Sequence, residues 1–258
     1  MTVYIKSLNK FPADEWRAIA LLGFRARGAS VKLFEDLEQV PRNRDTMLIS
    51  YIDETRKFFK DMDYDVPEDM SFPVALRNHS SFWKREIEFW PAKEVAERYI
   101  ISKELGLSKT FFCKPANVLK GFQYGVIKTL EEFKAVVDTG MDVIASEVVD
   151  FLSEYRCFVI DKKVVSCQHY LGDLKYYPSI SLVEDIIQEF VDAPMGYSID
   201  VGILANGETA LIECNDGWSL GSYGCMPKLY TRLLTERWRE ILVKNPVVIR
   251  PHIKIQAK

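Results

Sequence analysis

The segment YSIDVGILANGETALIECND constrains the fold of this chain most strongly, because two apolar runs flank an Asn-Gly pair. Asn-Gly between strand-like runs is a strong signal for a two-residue β-hairpin turn. The second run ends with Glu213 and Asn215, which lie two residues apart and so point to one face of a strand. Counting back from the turn places Asp200 opposite the neighbourhood of Glu213. Three oxygen-bearing side chains are therefore predicted to converge on one hairpin.

These three side chains predict a divalent-cation site. Carboxylate and amide oxygens suit Mg²⁺, and no His or Cys joins Asp200, Glu213 and Asn215 to favour Zn²⁺. A polar strand end with solvated side chains is the alternative interpretation. His169 has no Cys or His partner at metal-ligand spacing, and we interpret it as a core or edge histidine.

Composition and charge narrow the class of protein. The net charge of −3, from 34 basic and 37 acidic residues, argues against a nucleic-acid-binding protein. The basic and aromatic segment RNHSSFWKREIEFW could stack on bases, but a strand at a domain junction is the favoured interpretation. No apolar run approaches a membrane span, and the start lacks a signal-peptide core. Five scattered cysteines without a CxxC pair favour reduced thiols in a cytoplasmic protein.

The order of the predicted elements divides the chain into two domains. Over residues 1–92, strands alternate with helical patterns, which predicts a small α/β domain with a parallel sheet. Residues 93–258 are predicted to be α+β, with antiparallel hairpins and helices on one side. Their first helix is predicted over 92–106, and a second begins at Thr129, where Glu132 completes a capping box.

The spacing of Asp200 and the Glu213-x-Asn215 pair resembles the metal-binding element of the ATP-grasp superfamily. The upstream order agrees, because Lys114-Pro115, a Lys/Gly loop and Gly125 resemble that family's phosphate-covering hairpin. SEVVDFLSEYRCFV resembles its adenine hinge, and GDLKYYP resembles the basic-aromatic element that follows. The resemblance covers residues 93–245. It implies an ATP-grasp fold of two α+β subdomains that sandwich ATP, preceded here by the small N-terminal α/β domain.

Four basic residues acquire roles from this resemblance. It implies that Lys114, Lys120 and Lys175 contact the phosphates of ATP. Arg156 is implied to hold a phosphoryl or acyl-phosphate oxygen, because a guanidinium offers several donors in a fixed fork. Arg156 together with the lysines is similar to the ATP-grasp clade named for its arginine and lysine signature. Solvated surface lysines and a simple Arg156–Glu154 ion pair are the alternatives.

The hinge segment acquires roles in the same way. The resemblance implies that backbone groups near Val148 and Val149 meet the adenine, and that Glu154 accepts hydrogen bonds from the ribose hydroxyls. Glu147 lies at the other end of this hinge. The implied cofactors are ATP and Mg²⁺.

Three functions fit such a nucleotide site. The first is a ligase that joins a carboxylate to an amine through an acyl-phosphate, with small molecules or peptides as substrates. The second is a kinase of the same fold, and the third is a non-catalytic nucleotide-binding module. An oligomer is compatible with each of these functions, and a membrane partner is not expected.

The glycine-rich segment after Asn215 predicts the acceptor site of such an enzyme. Its glycines allow tight turns and close approach of the backbone to a ligand. We expect residues 217–224 to line the substrate pocket opposite Arg156, with Asp216, Ser222 or Tyr223 in contact with the acceptor. A simple connector to the last helix is the alternative.

Overall fold

A small, mostly parallel sheet forms the N-terminal unit in the computed structural model, which describes residues 1–68, 70–91, 93, 94, 97, 111–116, 125–127, 129–138 and 140–246. Its strands β1 to β4 are Thr2–Leu8, Phe11–Pro12, Val31–Phe34 and Thr46–Ile49. Strand β1 is parallel to both β3 and β4, and β2 folds back beside it. Helices α1 (Glu15–Ala26) and α2 (Ile52–Asp61) follow β2 and β4. The predicted α/β character of this unit is confirmed.

The second sheet is antiparallel, with the strand order β5-β8-β6-β7. Strands β5 to β8 are Ile87–Pro91, Phe111–Pro115, Gly125–Ile127 and Asp142–Glu147. The short helix α3 (Ser80–Trp83) precedes this sheet, and α4 (Leu130–Val137) connects β7 to β8. The predicted capping box of α4 is present, since Thr129 Oγ1 accepts from the Glu132 amide at 3.2 Å.

The pairing of β5 differs from the predicted domain boundary. Residue 92 was expected to end the N-terminal domain, which would leave Ile87–Pro91 on its side of the boundary. In the structure this strand pairs with β8 along its whole length and therefore belongs to the second sheet. The backbone hydrogen bonds of a strand decide its sheet membership, and chain order alone does not reveal them.

The third sheet is also antiparallel, with the order β10-β9-β11-β12. Strands β9 to β12 are Phe151–Ile160, Lys163–Gly172, Gly196–Leu204 and Thr209–Asp216. Both predicted hairpins are present. Asp161 and Lys162 turn the first with φ values of 49° and 57°, and Gly207 has a φ of 84° in the second. Positive φ at the turn matches the twist of the flanking strands.

The last two helices, α5 (Ile180–Glu189) and α6 (Pro227–Lys244), cover opposite faces of the third sheet. Helix α5 shares a buried cluster with alternate residues of β9 and β11, such as Cys157 and Ile199. Helix α6 joins Phe158 of the other face to the N-terminal unit. No described helix is long and apolar enough to cross a membrane. Most of the helix predicted over 92–106 lies outside the described residues.

A buried ion pair fastens α6 to the end of β12. Arg237 Nε donates to Asp216 Oδ1 at 2.7 Å, and Arg237 Nη2 donates to Asp216 Oδ2 at 2.6 Å. The Trp218 amide also donates to Asp216 Oδ1, at 3.2 Å. Burial raises the pKa of Asp216 although the bonds from Arg237 oppose the shift. Because both groups are nearly inaccessible, removal of either one leaves an uncompensated charge inside the protein.

We expect Arg237→Leu to lower the free energy of unfolding by about 3–5 kcal/mol, because the Asp216 carboxylate stays buried without its partner. The double variant Arg237→Leu with Asp216→Asn should recover at least half of this loss, since Asn keeps the bond to the Trp218 amide and removes the charge. Urea unfolding monitored by tryptophan fluorescence measures both values. Equal stability of the single variant and the parent would show that this pair does not anchor the helix.

Candidate active site

Three charged side chains form one row across the third sheet. Arg156 of β9, Asp200 of β11 and Glu213 of β12 occupy directly paired positions on three adjacent strands. Paired residues of antiparallel strands face the same side, so all three point to one face. The predicted convergence of Asp200 and Glu213 is therefore present, and Arg156 joins them.

A β-bulge sets the register of this row. Val201 pairs with Leu211, but Asp200 pairs with Glu213, so Ile212 is an extra residue in β12. Arg85 supports the irregular backbone: its Nη1 donates to the Leu211 carbonyl at 2.6 Å, and its Nη2 donates to the Ile212 carbonyl at 3.1 Å. Burial lowers the pKa of Arg85 to about 10, with Glu213 opposing the shift, so the guanidinium remains charged at neutral pH.

Arg156 and Asp200 make a bidentate pair beneath the surface. Arg156 Nε donates to Asp200 Oδ1 at 2.7 Å and Arg156 Nη2 donates to Oδ2 at 2.6 Å. Asp200 is 2% exposed. Burial raises the pKa of Asp200 to about 6 against the opposing effect of Arg156, which leaves the carboxylate mostly ionised at neutral pH. Such a pair is tolerated inside a protein because each charge satisfies the other.

Lys114 connects Glu213 to the second sheet. Its Nζ donates to Glu213 Oε2 at 3.0 Å, and it also lies 4.6 Å from the centre of the Phe72 ring. Burial opposes ionisation of Glu213, but the charges of Lys114 and Arg156 outweigh it, and the pKa of Glu213 is lowered. The cleft between the second and third sheets therefore contains two cations and two carboxylates in contact.

The donor set of this cluster fits Mg²⁺. Asn215 Nδ2 lies 3.3 Å from Asp200 Oδ2 and 3.2 Å from Glu213 Oε1, so the three side chains meet at one point. A half-turn of the amide would direct Oδ1 to the same point. No group of three His, Cys or acidic side chains gathers elsewhere in the described part of the chain. Two carboxylates and an amide suffice for Mg²⁺, which usually keeps waters and phosphate oxygens as its other ligands.

The other two predicted phosphate ligands are not part of this cluster. Lys175 is on the surface, with 84% of its side chain exposed and its Nζ 3.6 Å from Asp173 Oδ2. An exposed ion pair of this kind holds a side chain only weakly. Lys120 lies outside the described residues. Both roles therefore stay predictions, and Lys114 is the lysine that the structure places beside the carboxylates.

The predicted hinge is more open than the carboxylate cluster. Glu154, two residues before Arg156 on β9, points to the face of the row and accepts from the Tyr170 hydroxyl at 2.7 Å. Glu147 and Val148 are exposed and Val149 is half-buried, where β8 ends and the chain leads into β9. Accessible backbone at this place is compatible with the predicted contact with adenine.

The glycine-rich segment supplies an aromatic neighbour to the row. The Tyr223 ring lies 4.1 Å from the Arg156 guanidinium, in cation–π geometry. It also stacks on Trp16 of α1, with ring centres 5.5 Å apart, and meets Tyr170 edge-on at 5.3 Å. Ser222 is fully buried, and its Oγ has no hydrogen-bond partner among the described residues.

Asp216 does not join Ser222 and Tyr223. Alternate residues of a strand point to opposite faces, so Asp216 faces away from Asn215. Both of its oxygens are bound by Arg237. Its carboxylate therefore belongs to the anchor of α6, and we leave it out of the acceptor site.

Sequence reasoning missed Arg85, Tyr170 and Trp16 as parts of the site. Arg85 lies in the segment interpreted as a structural strand, and nothing local reveals that it binds carbonyls of β12. Tyr170 pairs with Glu154 across the β9–β10 hairpin, and its position in the predicted hairpin was the one available signal. Trp16 reaches the site from a different unit of the fold, which no local pattern indicates.

Comparison with known proteins places this site in a family. The model of the ATP-grasp domain that matches residues 82–233 is family 2 of the clade named for its arginine and lysine signature. No curated protein matches the chain. Solved structures share its fold at low sequence identity. D-cycloserine synthetase DcsG is 12% identical with a TM-score of 0.62, and the alignment covers 92% of this chain and 100% of that chain.

Two further structures agree with this assignment of the fold. ATP-grasp ligase PsnB, complexed with minimal precursor, is 15% identical with a TM-score of 0.54, over 91% of this chain and 99% of that chain. D-alanine–D-alanine ligase from Bacillus anthracis is 8% identical with a TM-score of 0.56, over 95% of this chain and 99% of that chain. The family model covers more than half of the 258 residues, and the chain therefore belongs to the ATP-grasp superfamily, in family 2 of the arginine-and-lysine clade.

Proposed function

We propose that this protein is an ATP- and Mg²⁺-dependent ligase that joins a carboxylate to an amine. The observation that carries the proposal is the buried cluster in which Lys114 of one sheet meets the Arg156, Asp200 and Glu213 row of the other. A cleft with paired cations and carboxylates can neutralise a bound polyphosphate on both sides. Phosphoryl transfer depends mainly on such positioning and charge stabilisation.

Asp200, Glu213 and Asn215 are the residues that would hold Mg²⁺. When bound there, the ion supplies positive charge that offsets the charge of the ATP phosphates. Lys114 contacts the phosphates as a compact point charge, joined by Lys120 and Lys175. The adenine lies against the backbone at Val148 and Val149.

The hinge carboxylates complete the nucleotide site. Glu154 accepts hydrogen bonds from the ribose hydroxyls and is oriented by the Tyr170 hydroxyl. Glu147 marks the end of β8 at the edge of the adenine site.

The reaction proceeds in two balanced steps. An oxygen of the substrate carboxylate attacks the γ-phosphorus, the bond to the bridging oxygen breaks, and ADP leaves with an acyl-phosphate as the other product. The amine then attacks the acyl carbon, loses a proton, and displaces inorganic phosphate as the amide bond forms. Arg156 has its guanidinium in the row and stabilises the oxyanion of the second step. Neither step requires a nucleophile from the protein.

The named activities of similar structures support the class of substrate. These structures include a ligase complexed with precursor peptide and AMPPNP, a D-cycloserine synthetase and a D-alanine–D-alanine ligase. One was also solved with Mg and ADP. The substrates of the present chain are accordingly proposed to be small molecules or peptides that provide a carboxylate and an amine, with Ser222 and Tyr223 beside the acceptor.

Glu213→Gln tests the catalytic cluster. We expect it to lower ATP-dependent phosphate release, measured with panels of amino acids and short peptides, by more than about a hundredfold, because the ion loses a charged ligand. Glu208→Gln is the matched control on the same hairpin, since Glu208 lies at its exposed turn and pairs with Lys84. Its activity should equal that of the parent.

The products distinguish the proposed ligase from related functions. Phosphate release that requires both a carboxylate and an amine supports the ligase. A stable phosphorylated product would identify a kinase, and nucleotide binding without turnover would identify a binding module. Full turnover by Glu213→Gln would contradict the assignment of the cluster.

Lys114→Ala and Lys175→Ala test the phosphate contacts separately. Each should weaken binding of Mg·AMPPNP in a calorimetric titration, and Lys114→Ala by about tenfold or more, the expected effect of losing a charge-assisted hydrogen bond. Lys162→Ala is a suitable control because this residue lies in the β9–β10 turn. If both lysine variants bind as tightly as the parent, the nucleotide occupies a different place.

A further inference from the structure

A cavity of about 470 Å³ lies between the N-terminal unit and the segment that follows β12. Its walls are the start of α1, the junction of β4 with α2, and residues 218–220 together with α6. The volume is within the range of small-molecule sites, about 300–1,000 Å³. The walls from α1, β4 and α2 lie outside residues 82–233, so the match to the family does not assign this cavity.

Two buried donors that line the cavity have no acceptor. Arg17 is 7% exposed and stacks 4.2 Å from the Tyr51 ring. Its Nη1 donates to Asp14, but its Nε has no hydrogen-bond partner among the described residues. Trp218 is 8% exposed, and its Nε1 also has none in the described part of the chain. Unpaired buried donors are costly, and an acceptor brought by a ligand would satisfy them.

The N-terminus of α2 adds further donors to the same cavity. Tyr51, at its N-cap position, makes no side-chain hydrogen bond to the first turn of this ten-residue helix. The backbone N–H groups at Ile52 and Asp53 therefore present the positive end of a helix where these residues line the cavity. Together with Arg17 this arrangement suits a carboxylate. The acidic side chain of Asp53 disfavours more highly charged anions such as phosphate, and favours a zwitterion.

We propose that this cavity binds the amine substrate as an α-amino acid with an apolar side chain, free or at the carboxyl end of a dipeptide. Its carboxylate is held by Arg17, Trp218 and the start of α2. The side chain packs against the apolar wall that Ile49 and Leu234 provide. The role as amine substrate rests on the ligase activity proposed above.

The cavity adjoins the charged row through a pair of aromatic rings. Trp16 lines the cavity and stacks on Tyr223, whose ring covers the Arg156 guanidinium. The Gly221 position allows this approach, because a Cβ there would lie 2.9 Å from the Trp16 indole. Burial raises the pKa of Tyr230, another lining residue, while the charges of Arg17 and Arg156 both oppose the shift. The Tyr230 hydroxyl thus lies within electrostatic reach of both guanidinium groups.

This separation has a chemical use. A ligase whose amine substrate is an amino acid must keep the carboxylate of that substrate away from the γ-phosphate, where it would be activated by mistake. Binding at Arg17, beyond Trp16 and Tyr223, would hold that carboxylate away from Arg156 and the cluster. The amino end is then free to reach the acyl group.

Saturation-transfer NMR on the full-length protein tests this site. The probes are the common L-amino acids, dipeptides that carry them at the carboxyl end, and the matching carboxamides, and Mg·AMPPNP is titrated in parallel. We expect apolar amino acids to bind and their carboxamides to bind at least about tenfold more weakly, because the charged partner of Arg17 is lost. The dipeptide arm distinguishes a free amino acid from a peptide end.

Variants connect such binding to the cavity. Arg17→Gln should weaken amino-acid binding about tenfold, and Trp218→Phe, which keeps an aromatic ring and removes only the donor, roughly threefold. Glu15→Gln is the control, because Glu15 is an exposed residue of the same helix that does not line the cavity. Mg·AMPPNP binding should be unchanged in all three. If Arg17→Gln fails to fold, Trp218→Phe alone decides the test.

Three results would overturn the inference. Carboxamides that bind as well as acids would exclude a carboxylate site, and so would unchanged binding in both variants. Mg·AMPPNP binding without binding of any amino acid would reject the cavity and leave the proposed ligase intact. Amino-acid binding by a protein that binds no nucleotide would instead reject the ligase, and with it the role of the cavity as the amine site.

Discussion

One extra residue in β12 determines whether this protein has an active-site cluster at all. If the β11–β12 hairpin continued in the register set by its turn, Asp200 would pair with Ile212. Glu213 would then point to the opposite face, since a shift of one residue reverses the direction of every side chain. The bulge at Ile212 restores Glu213 to the face of Asp200 and Arg156. Arg85 holds the bulge by binding two consecutive carbonyls.

The charge balance of the cluster follows from this geometry. A buried carboxylate without a partner would be protonated or would destabilise the fold. Here Arg156 pairs with Asp200, and Lys114 pairs with Glu213 from the opposite sheet. The same contacts that make the carboxylates tolerable therefore hold the second and third sheets together across the cleft. A nucleotide that enters would exchange some of these contacts for its own phosphates and metal.

The N-terminal unit is connected to the site through packing. Helix α6 shares a buried cluster with α1 and α2, and Trp238 packs against Phe58 and Phe59. This packing brings Trp16 to Tyr223 and so to Arg156. The unit outside the matched family region thereby forms one wall of the proposed acceptor site. Variation in this unit could change the substrate without altering the nucleotide cluster.

Local sequence signals were sufficient for the elements and for the candidate ligands. The Asn-Gly pair predicted the β11–β12 hairpin, Thr129 and Glu132 predicted the cap of α4, and polar residues on apolar strands identified Asp200 and Glu213. These signals are readable because turn, cap and strand periodicity depend on residues close in sequence. The ATP-grasp resemblance then supplied Lys114 and Arg156.

The tertiary structure alone decided which of these side chains meet. It placed β5 in the second sheet, directed Asp216 toward Arg237, and introduced the bulge that aligns Glu213 with Asp200. It also brought Arg17 and Trp218 to one cavity. Each of these outcomes depends on strand register or on packing between distant segments. Register is set by hydrogen bonds and burial summed over whole sheets, so a short stretch of sequence does not contain it.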